Sequence, residues 1–136
     1  MAERFVLDAF AVLALLGDEP GADEVSLLLS DQSNEILISA VNVGEVDYIL
    51  RRRAGAARAR QAEDAVYDHP RIRVAEATRD RIRAAAAVKA TGGLSLADAF
   101  AASLAREVDA ALVTADREFE SLEAAGLRLR WLALGR

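Results

Sequence analysis

The sequence predicts an α/β protein built on a central parallel sheet. Five short apolar runs typical of buried strands alternate with longer segments in which apolar residues recur at helical spacing. Parallel strands need crossover connections, and helices supply them. The alternation therefore predicts a three-layer α/β/α fold with a central parallel sheet of four to five strands. A chain of 136 residues is long enough for one domain with its own core, spanning residues 1–136.

The predicted elements follow one another along the chain without a linker or an internal repeat. Strands are expected at residues 4–8, 35–39, 72–75, 110–114 and 127–132. Helices are expected at residues 9–17, 22–32, 39–53, 55–68, 77–90, 95–106 and 116–125. Gly17, Pro70 and Gly126 mark breaks between elements. The last strand alternates apolar and charged residues, which predicts a place at the edge of the sheet.

The composition excludes several kinds of chemistry. The chain has no cysteine, and its one histidine, His69, lies in a predicted loop. Zinc sites built on histidines are excluded, and a Ser-His-Asp nucleophile system would have to use His69. A net charge of −5 argues against loose electrostatic binding of nucleic acid over the whole surface. No apolar stretch approaches the roughly 20 residues of a membrane span, and we recognise no signal peptide, so we expect a cytoplasmic protein.

Four acidic residues stand where a strand ends or within an otherwise apolar helix. Asp8 closes the first strand, Asp116 follows the fourth, and Glu45 and Asp98 lie in the third and sixth helices. Ligand sites of parallel sheets lie beyond the carboxyl ends of the strands, so Asp8 and Asp116 should share a site. Carboxylates gathered in one cleft repel each other, and Mg²⁺ or Mn²⁺ takes oxygen ligands of this type. The four positions indicate metal-dependent phosphodiester chemistry.

Each of these acids also has an ordinary structural role open to it. Asp8 and Asp116 can cap the helices that follow them. Asp98 lies three residues after Ser95, which is the spacing of a capping box. Glu45 can face solvent. These roles do not exclude metal binding, and four acids at such positions argue for a shared site more strongly than any one of them.

Four segments of the chain resemble those of PIN-domain proteins and, within that group, of the VapC-type toxins of type II toxin–antitoxin systems. They are residues 6–8 with the helix 12–16, residues 39–46, residues 94–99 and residues 112–116. The resemblance covers essentially the whole chain and implies an endoribonuclease that uses Mg²⁺ or Mn²⁺. It implies RNA as the substrate, a cognate antitoxin as a partner, and a homodimer or a higher toxin–antitoxin assembly.

The resemblance also assigns roles to individual residues. It implies that Asp8, Glu45, Asp98 and Asp116 are catalytic and hold the metal, and that Thr114 is a supporting hydroxyl. A metal-activated water would then attack the phosphodiester bond, and the leaving oxygen would be stabilised electrostatically. No protein nucleophile is needed, which suits a chain with one histidine and no cysteine.

The chain departs from the family pattern at Ala9. Family members often carry Ser or Thr directly after the first Asp, so a hydroxyl that would orient Asp8 is missing here. The missing hydroxyl leaves open a degenerate, non-catalytic PIN binding module, and a PIN nuclease that processes RNA without a toxin role is a second, independent alternative. A receiver-like phospho-acceptor domain fits poorly, because Asp8 stands alone after the first strand and Lys89 lies in a helix.

A basic cluster follows Glu45 along the chain. Its members are Arg51, Arg52, Arg53, Arg58 and Arg60. We expect Arg51 and Arg52 to bind the RNA backbone beside the acidic site. A solvated, ion-paired helix face is the alternative interpretation of the same cluster.

Apolar residues give two further expectations. The phenylalanines are all expected in the core, so base stacking is not expected and specificity should rest on RNA shape; they are Phe5, Phe10, Phe100 and Phe119. The apolar faces of helices 9–17 and 22–32 are either core or, as the resemblance implies, a homodimer surface and a groove for an antitoxin helix.

Overall fold

Five parallel strands form the central sheet of the computed structural model, which describes residues 3–133. The strands are β1 (Arg4–Leu7), β2 (Glu35–Ser39), β3 (Ile72–Ala75), β4 (Ala111–Thr114) and β5 (Leu129–Trp131). Their order across the sheet is β3-β2-β1-β4-β5, and every pairing is parallel. The predicted fold class and the predicted edge position of the last strand are both confirmed. The strand order reverses between β1 and β4, where open parallel sheets form a crevice at their carboxyl ends.

Helices connect successive strands and cover both faces of the sheet. They are α1 (Ala9–Gly17), α2 (Ala22–Ser30), α3 (Ala40–Ala54), α4 (Ala56–Tyr67), α5 (Arg79–Ala90), α6 (Leu96–Glu107) and α7 (Glu120–Ala124). The bounds of α1 to α6 lie within two residues of the predicted ones. None of the helices in residues 3–133 has the length and hydropathy needed to cross a membrane.

Two apolar cores lie on opposite faces of the sheet. Successive strand residues point to opposite faces, so Val6 and Leu112 pack with α5 and α6, whereas Leu7, Ile38 and Val113 pack with α1 to α4. All five of these side chains are fully buried. Burial on both faces explains why the three central strands β2, β1 and β4 are nearly continuous apolar runs, whereas the edge strands β3 and β5 carry exposed arginines.

Helix α6 lies against the middle of the sheet. Residues 98–105 are all buried, and half of them are alanines. Small side chains let the helix approach the strands closely, and α6 contacts β1, β2, β4 and α3. This packing holds Asp98, in the first turn of α6, beside the carboxyl end of β1.

Side-chain caps fix the start of four helices. The capping residues are Asp8 for α1, Ser39 for α3, Thr78 for α5 and Ser95 for α6. Each has extended backbone, and its side-chain oxygen accepts a hydrogen bond from an amide of the first helical turn. The capping role predicted for Asp8 is therefore real, and it holds the carboxylate at the end of β1.

The predicted helix at 116–125 is wrong in its first half. A 3₁₀ turn at Arg117–Phe119 precedes α7, and Asp116 caps that turn by accepting a hydrogen bond from the Glu118 amide at 2.9 Å. Phe119 is fully buried in the core.

Phe10 is not a core residue, contrary to the expectation from sequence. Its neighbours Ala9 and Ala11 are buried, but 38% of Phe10 is exposed. The buried stripe of α1 passes through Ala9, Ala11, Val12 and Ala14, which leaves Phe10 on the flank of the helix. Phe10 instead lines the cleft that also contains Asp8 and Asp116.

Candidate active site

All four acidic residues singled out from the sequence line one cleft of about 400 Å³. They are Asp8, Glu45, Asp98 and Asp116. Asp8 follows β1 and Asp116 follows β4, so the cleft lies at the carboxyl ends of neighbouring strands where the strand order reverses. Glu45 comes from the middle of α3 and Asp98 from the first turn of α6.

Asp8 is the most deeply buried of these carboxylates, with 3% of the residue exposed. Its Oδ1 accepts a hydrogen bond from the Ala11 amide at 2.9 Å, and its Oδ2 accepts one from the Thr114 hydroxyl. Burial raises the pKa of Asp8 to about 7, despite the two hydrogen bonds, and the negative charges of Asp98 and Glu45 add to the rise.

Thr114 joins the two carboxylates that end the central strands. It is fully buried, donates its hydroxyl proton to Asp8 and accepts a hydrogen bond from the Asp116 amide at 3.0 Å. The hydroxyl thus orients the side chain of Asp8 and the backbone of Asp116 together. An orienting hydroxyl for Asp8 is present here even though Ala9 has none.

Asn42 forms a hydrogen bond with Glu45 and was not among the residues identified from the sequence. It is fully buried, and its Nδ2 donates to Glu45 Oε1 at 3.3 Å and to the Ala97 carbonyl at 3.1 Å. Asn42 therefore ties α3 to the first turn of α6, one residue before Asp98. Its Oδ1 has no hydrogen-bond partner among the described residues 3–133. An Asn three residues before a Glu, on the same face of a helix, was the available clue.

Asp98, Asp116 and Glu118 bring carboxylate oxygens within 4.8 Å of one another. Burial, followed by the charge of Asp116, raises the pKa of Asp98 to about 6, while the Ser95 hydroxyl lowers it. Burial, with the charge of Asp116, also raises the pKa of Glu45. The sequence pattern did not identify Glu118, which falls within the helix predicted over residues 116–125.

The donor set suits a hard divalent cation. It consists of carboxylate oxygens from four elements. Burial, together with neighbouring carboxylates, raises the pKa of Asp8 and of Asp98, so a cation would stabilise their charged forms. Mg²⁺ and Mn²⁺ are held by one or more carboxylates and offset this type of repulsion. The residues present therefore fit such an ion.

The three consecutive arginines at the end of α3 have different surroundings. Arg51 forms an ion pair with Asp47, with Nε 2.9 Å from Oδ1, and the Arg52 guanidinium lies 5.5 Å from the centre of the Tyr48 ring. Arg53 lines the acidic cleft. Successive residues of a helix point about 100° apart, so these three neighbours in sequence face different surroundings. The sequence alone did not show which of them faces the cleft.

Arg117 also lines the cleft, from the 3₁₀ turn after β4. Its guanidinium lies 5.0 Å from the centre of the Trp131 ring and donates to Glu120 at 3.1 Å. Trp131 in turn donates its indole N–H to Glu123 at 3.1 Å. The exposed side chain of Arg117 thus contacts both β5 and α7.

The chain belongs to the PIN domain family, whose sequence profile matches residues 5–125. No curated protein sequence gives a significant match. The resemblance inferred from the acidic segments is confirmed at the level of the family.

Solved structures of toxin–antitoxin proteins share the fold. VapBC2 from Rickettsia felis, bound to a DNA fragment of its promoter, matches with a TM-score of 0.73 at 17% identity, covering 96% of this chain and 99% of that chain. VapC20 from Mycobacterium tuberculosis, a toxin that cleaves the sarcin–ricin loop, matches with a TM-score of 0.70 at 23% identity, covering 90% and 95%. DNA-bound VapBC from Salmonella typhimurium matches with a TM-score of 0.71 at 18% identity, covering 94% and 97%. At these identities the likeness shows a shared fold.

Proposed function

We propose that this protein is a metal-dependent endoribonuclease and the toxin of a toxin–antitoxin pair. The observation that carries the proposal is the cleft at the reversal of strand order, where four carboxylates from separate elements converge. Membership of the PIN domain family and the shared fold with VapC toxins support it. Such a toxin would act in the cytoplasm, where its RNA substrate is found.

Mg²⁺ or Mn²⁺ would be held by the carboxylates of Asp98, Asp116, Asp8, Glu45 and Glu118. When bound, the ion supplies Lewis-acid stabilisation of the phosphate and activation of water. The chain's own groups set the geometry for this chemistry, because Thr114 orients Asp8 and Asn42 orients Glu45. No cysteine is present, and His69 is absent from the lining of the cleft, so hydrolysis would proceed without a protein nucleophile.

Deprotonation of Asp8 and Asp98 is part of loading the site. Their raised pKa values mean that both carboxyl groups carry a proton for part of the time near neutral pH when no cation is present. Ion binding requires the carboxylate form and therefore releases these protons. The affinity for Mn²⁺ should consequently rise with pH.

Arg51 and Arg52 would contact the RNA backbone outside the cleft, which Arg53 alone of these three arginines lines. Both are exposed on the last turn of α3. Phosphate contacts from this face would be sensitive to salt and insensitive to sequence. Thr114 would act as the supporting hydroxyl in the cleft.

The partners we propose are a cognate antitoxin and a second copy of the chain. Leu27 on α2 is 70% exposed, and Leu13 and Leu16 on α1 are only partly buried, so the α1–α2 face retains apolar surface. Several of the structural relatives were solved as toxin–antitoxin complexes. An antitoxin helix on this face would cover the cleft, and a homodimer or a larger assembly would use the remaining apolar surface.

Growth of bacteria after induction of this chain alone tests the proposal. Wild type should arrest growth, and Asp98→Asn and Asp116→Asn should not, because each substitution removes one charge from the ion-binding set. Equal arrest by wild type and both variants would contradict the metal chemistry. Normal growth with folded, soluble wild type would favour an RNA-processing nuclease or a non-catalytic module.

Cleavage of purified RNA separates those two alternatives. A nuclease without a toxin role should cut RNA with Mn²⁺ and stop when EDTA is added. A non-catalytic module, which Ala9 would suggest, should bind RNA or Mn²⁺ without cutting. The arrangement of Thr114 beside Asp8 favours activity, since it supplies an orienting hydroxyl.

A further inference from the structure

We propose that the cleft binds one unpaired nucleotide of the substrate, with its base against the ring of Phe10 and its phosphate against Arg53. The inference rests on the proposed ribonuclease function and names the part of the RNA that the site recognises. Three kinds of surface meet in the cleft. The carboxylates form one part, an apolar wall of Phe10, Leu13 and Ile49 forms another, and the guanidinium of Arg53 adds a positive charge.

Phe10 has the placement expected of a stacking platform. It follows Ala9 directly, two residues after Asp8, so the ring is held within a short distance of the carboxylate cluster along α1. It is 38% exposed although the residues on either side are buried. An aromatic ring exposed in a cleft offers a face to any base, and stacking of this kind is worth about tenfold or more in affinity.

The apolar wall explains why a base rather than a second phosphate would occupy that part of the cleft. Phe10, Leu13 and Ile49 come from α1 and α3 and present no charged group. A nucleobase has an apolar face and a polar edge, so it can lie on such a wall while its edge remains in water. The volume of about 400 Å³ is in the range of sites for small ligands.

Arg53 differs from Arg51 and Arg52 in lining the cleft. Arg51 is paired with Asp47, and Arg52 lies over Tyr48. Within residues 3–133 Arg53 forms no ion pair, although four carboxylates line the same cleft. A planar guanidinium at this place suits a phosphate oxygen, which it can contact with two donors.

The combination favours unpaired RNA over a duplex. In an A-form helix the bases are stacked inside, and the deep major groove does not admit a side chain such as Phe10 to a base face. Only a base splayed out of a loop, bulge or single strand can reach the ring while its phosphate lies near the carboxylates. The expectation from sequence that base stacking plays no part assumed that Phe10 lies in the core, whereas 38% of this residue is exposed.

Binding of RNA oligonucleotides to the purified full chain tests the inference. A fluorescent single strand carrying 2-aminopurine is titrated in Ca²⁺, which takes oxygen ligands like those of Mg²⁺, so that affinity is read separately from cleavage. Phe10→Ala should weaken binding about tenfold. Phe10→Leu keeps an apolar side chain and should abolish the quenching of 2-aminopurine that stacking produces. Tyr67→Ala, which removes an exposed aromatic ring outside the cleft, should change neither quantity.

The contribution of Arg53 is read from the salt dependence. Arg53→Gln should weaken binding and reduce the slope of log affinity against log salt by about 0.7, the value for one phosphate contact on a single strand. Arg83→Gln is the matched control, because it removes an equal charge from the exposed surface of α5, outside the cleft. Thermal unfolding of each variant verifies that it is folded.

The outcomes separate this inference from the proposed function. Suppose that wild type cuts RNA. Normal quenching of 2-aminopurine by Phe10→Leu, or an Arg53→Gln variant that behaves like Arg83→Gln, would then overturn the nucleotide site and leave the nuclease function in place. Equal affinity for a duplex would do the same. Loss of binding to a partner protein in these variants, with RNA binding intact, would show that the wall serves a protein instead. Wild type that neither binds nor cuts RNA would overturn the proposed function itself.

Discussion

At the residue scale, Thr114 orients the carboxylate of Asp8 and lowers its pKa. Its hydroxyl donates to Asp8 and lowers the pKa of that buried carboxyl, and it accepts a hydrogen bond from the Asp116 amide at 3.0 Å. Thr114→Val keeps the shape and removes both hydrogen bonds. We expect Mn²⁺ affinity and RNA cleavage to fall roughly 10- to 100-fold, as is common when a group that supports a metal ligand is lost.

The Thr114→Val result needs a control for general destabilisation. Thr91→Val removes a hydroxyl that donates to the Val88 carbonyl at 2.7 Å near the end of α5, outside the acidic cleft. It should leave Mn²⁺ binding, measured by calorimetry, unchanged. If the two variants bound Mn²⁺ equally well, Thr114 would have only a structural role.

Individual residues also show where inference from sequence ends. Asp8 and Asp116 were predicted to share a cleft because parallel strands end at one edge of a sheet, and they do. Asn42 and Glu118 were missed, because their roles depend on how α3 meets α6 and on a 3₁₀ turn. Phe10 was placed in the core because hydrophobicity alone does not tell which flank of a helix is covered.

At the element scale, the start of α6 determines where Asp98 lies. Ser95 caps this helix by accepting a hydrogen bond from the Asp98 amide at 3.1 Å. Ser95→Ala should lower the free energy of unfolding by about 1 kcal/mol. It should also weaken Mn²⁺ binding, because the first turn of α6 loosens and the Ser95 hydroxyl no longer lowers the pKa of Asp98. Urea unfolding and Mn²⁺ titration measure the two effects.

Thr78→Ala is the matched test for this interpretation. Thr78 caps α5 in the same way, accepting from the Arg81 amide at 3.3 Å, but α5 carries no carboxylate of the cleft. The variant should lose a similar amount of stability and keep its Mn²⁺ affinity. A similar loss of Mn²⁺ affinity in both variants would mean that global stability, rather than the placement of Asp98, governs the site.

Elements with a strong local pattern were predicted to within a residue or two, and the exception is informative. The interval 116–125 has enough helix-forming residues for one helix, but Phe119 turns into the core and the chain winds as a 3₁₀ turn before α7. Phe119 occupies the core in this arrangement, and the local sequence does not indicate the 3₁₀ turn.

At the scale of the whole molecule, the order β3-β2-β1-β4-β5 creates the site. Pairing β1 with both β2 and β4 places the carboxyl end of β1 between the two halves of the sheet. The alternation of strands and helices in the sequence predicted a parallel sheet. No local sequence pattern predicted the order of the strands within it. That order follows from packing of both cores at once, with α6 against the middle strands.

The crowded carboxylates make the stability of the metal-free protein depend on pH. Burial raises the pKa of Asp8 from 3.8 to about 7 and that of Asp98 from 3.8 to about 6, so the folded chain holds protons that the unfolded chain releases. Stability falls with rising pH wherever the folded state binds more protons. Between about pH 4 and 7, Asp8 alone should lower the free energy of unfolding by roughly 4 kcal/mol, since one pKa unit corresponds to about 1.4 kcal/mol.

Asp8→Asn isolates this effect, because Asn also caps helices and carries no titrating proton. Urea unfolding in EDTA should give a profile that declines with pH for wild type and is flatter for the variant. Exposed carboxyl groups such as Glu35 and Asp47 do not obscure the comparison. Nearby arginines lower their pKa values, so they titrate at lower pH than Asp8, and they do so equally in both proteins. Saturating Mg²⁺ should restore wild-type stability increasingly toward pH 7, because the ion binds the deprotonated carboxylates. Parallel profiles for wild type and Asp8→Asn would show that the buried carboxyl group of Asp8 does not govern the pH dependence of stability. The metal would then be needed for catalysis and would not stabilise the folded state through this residue.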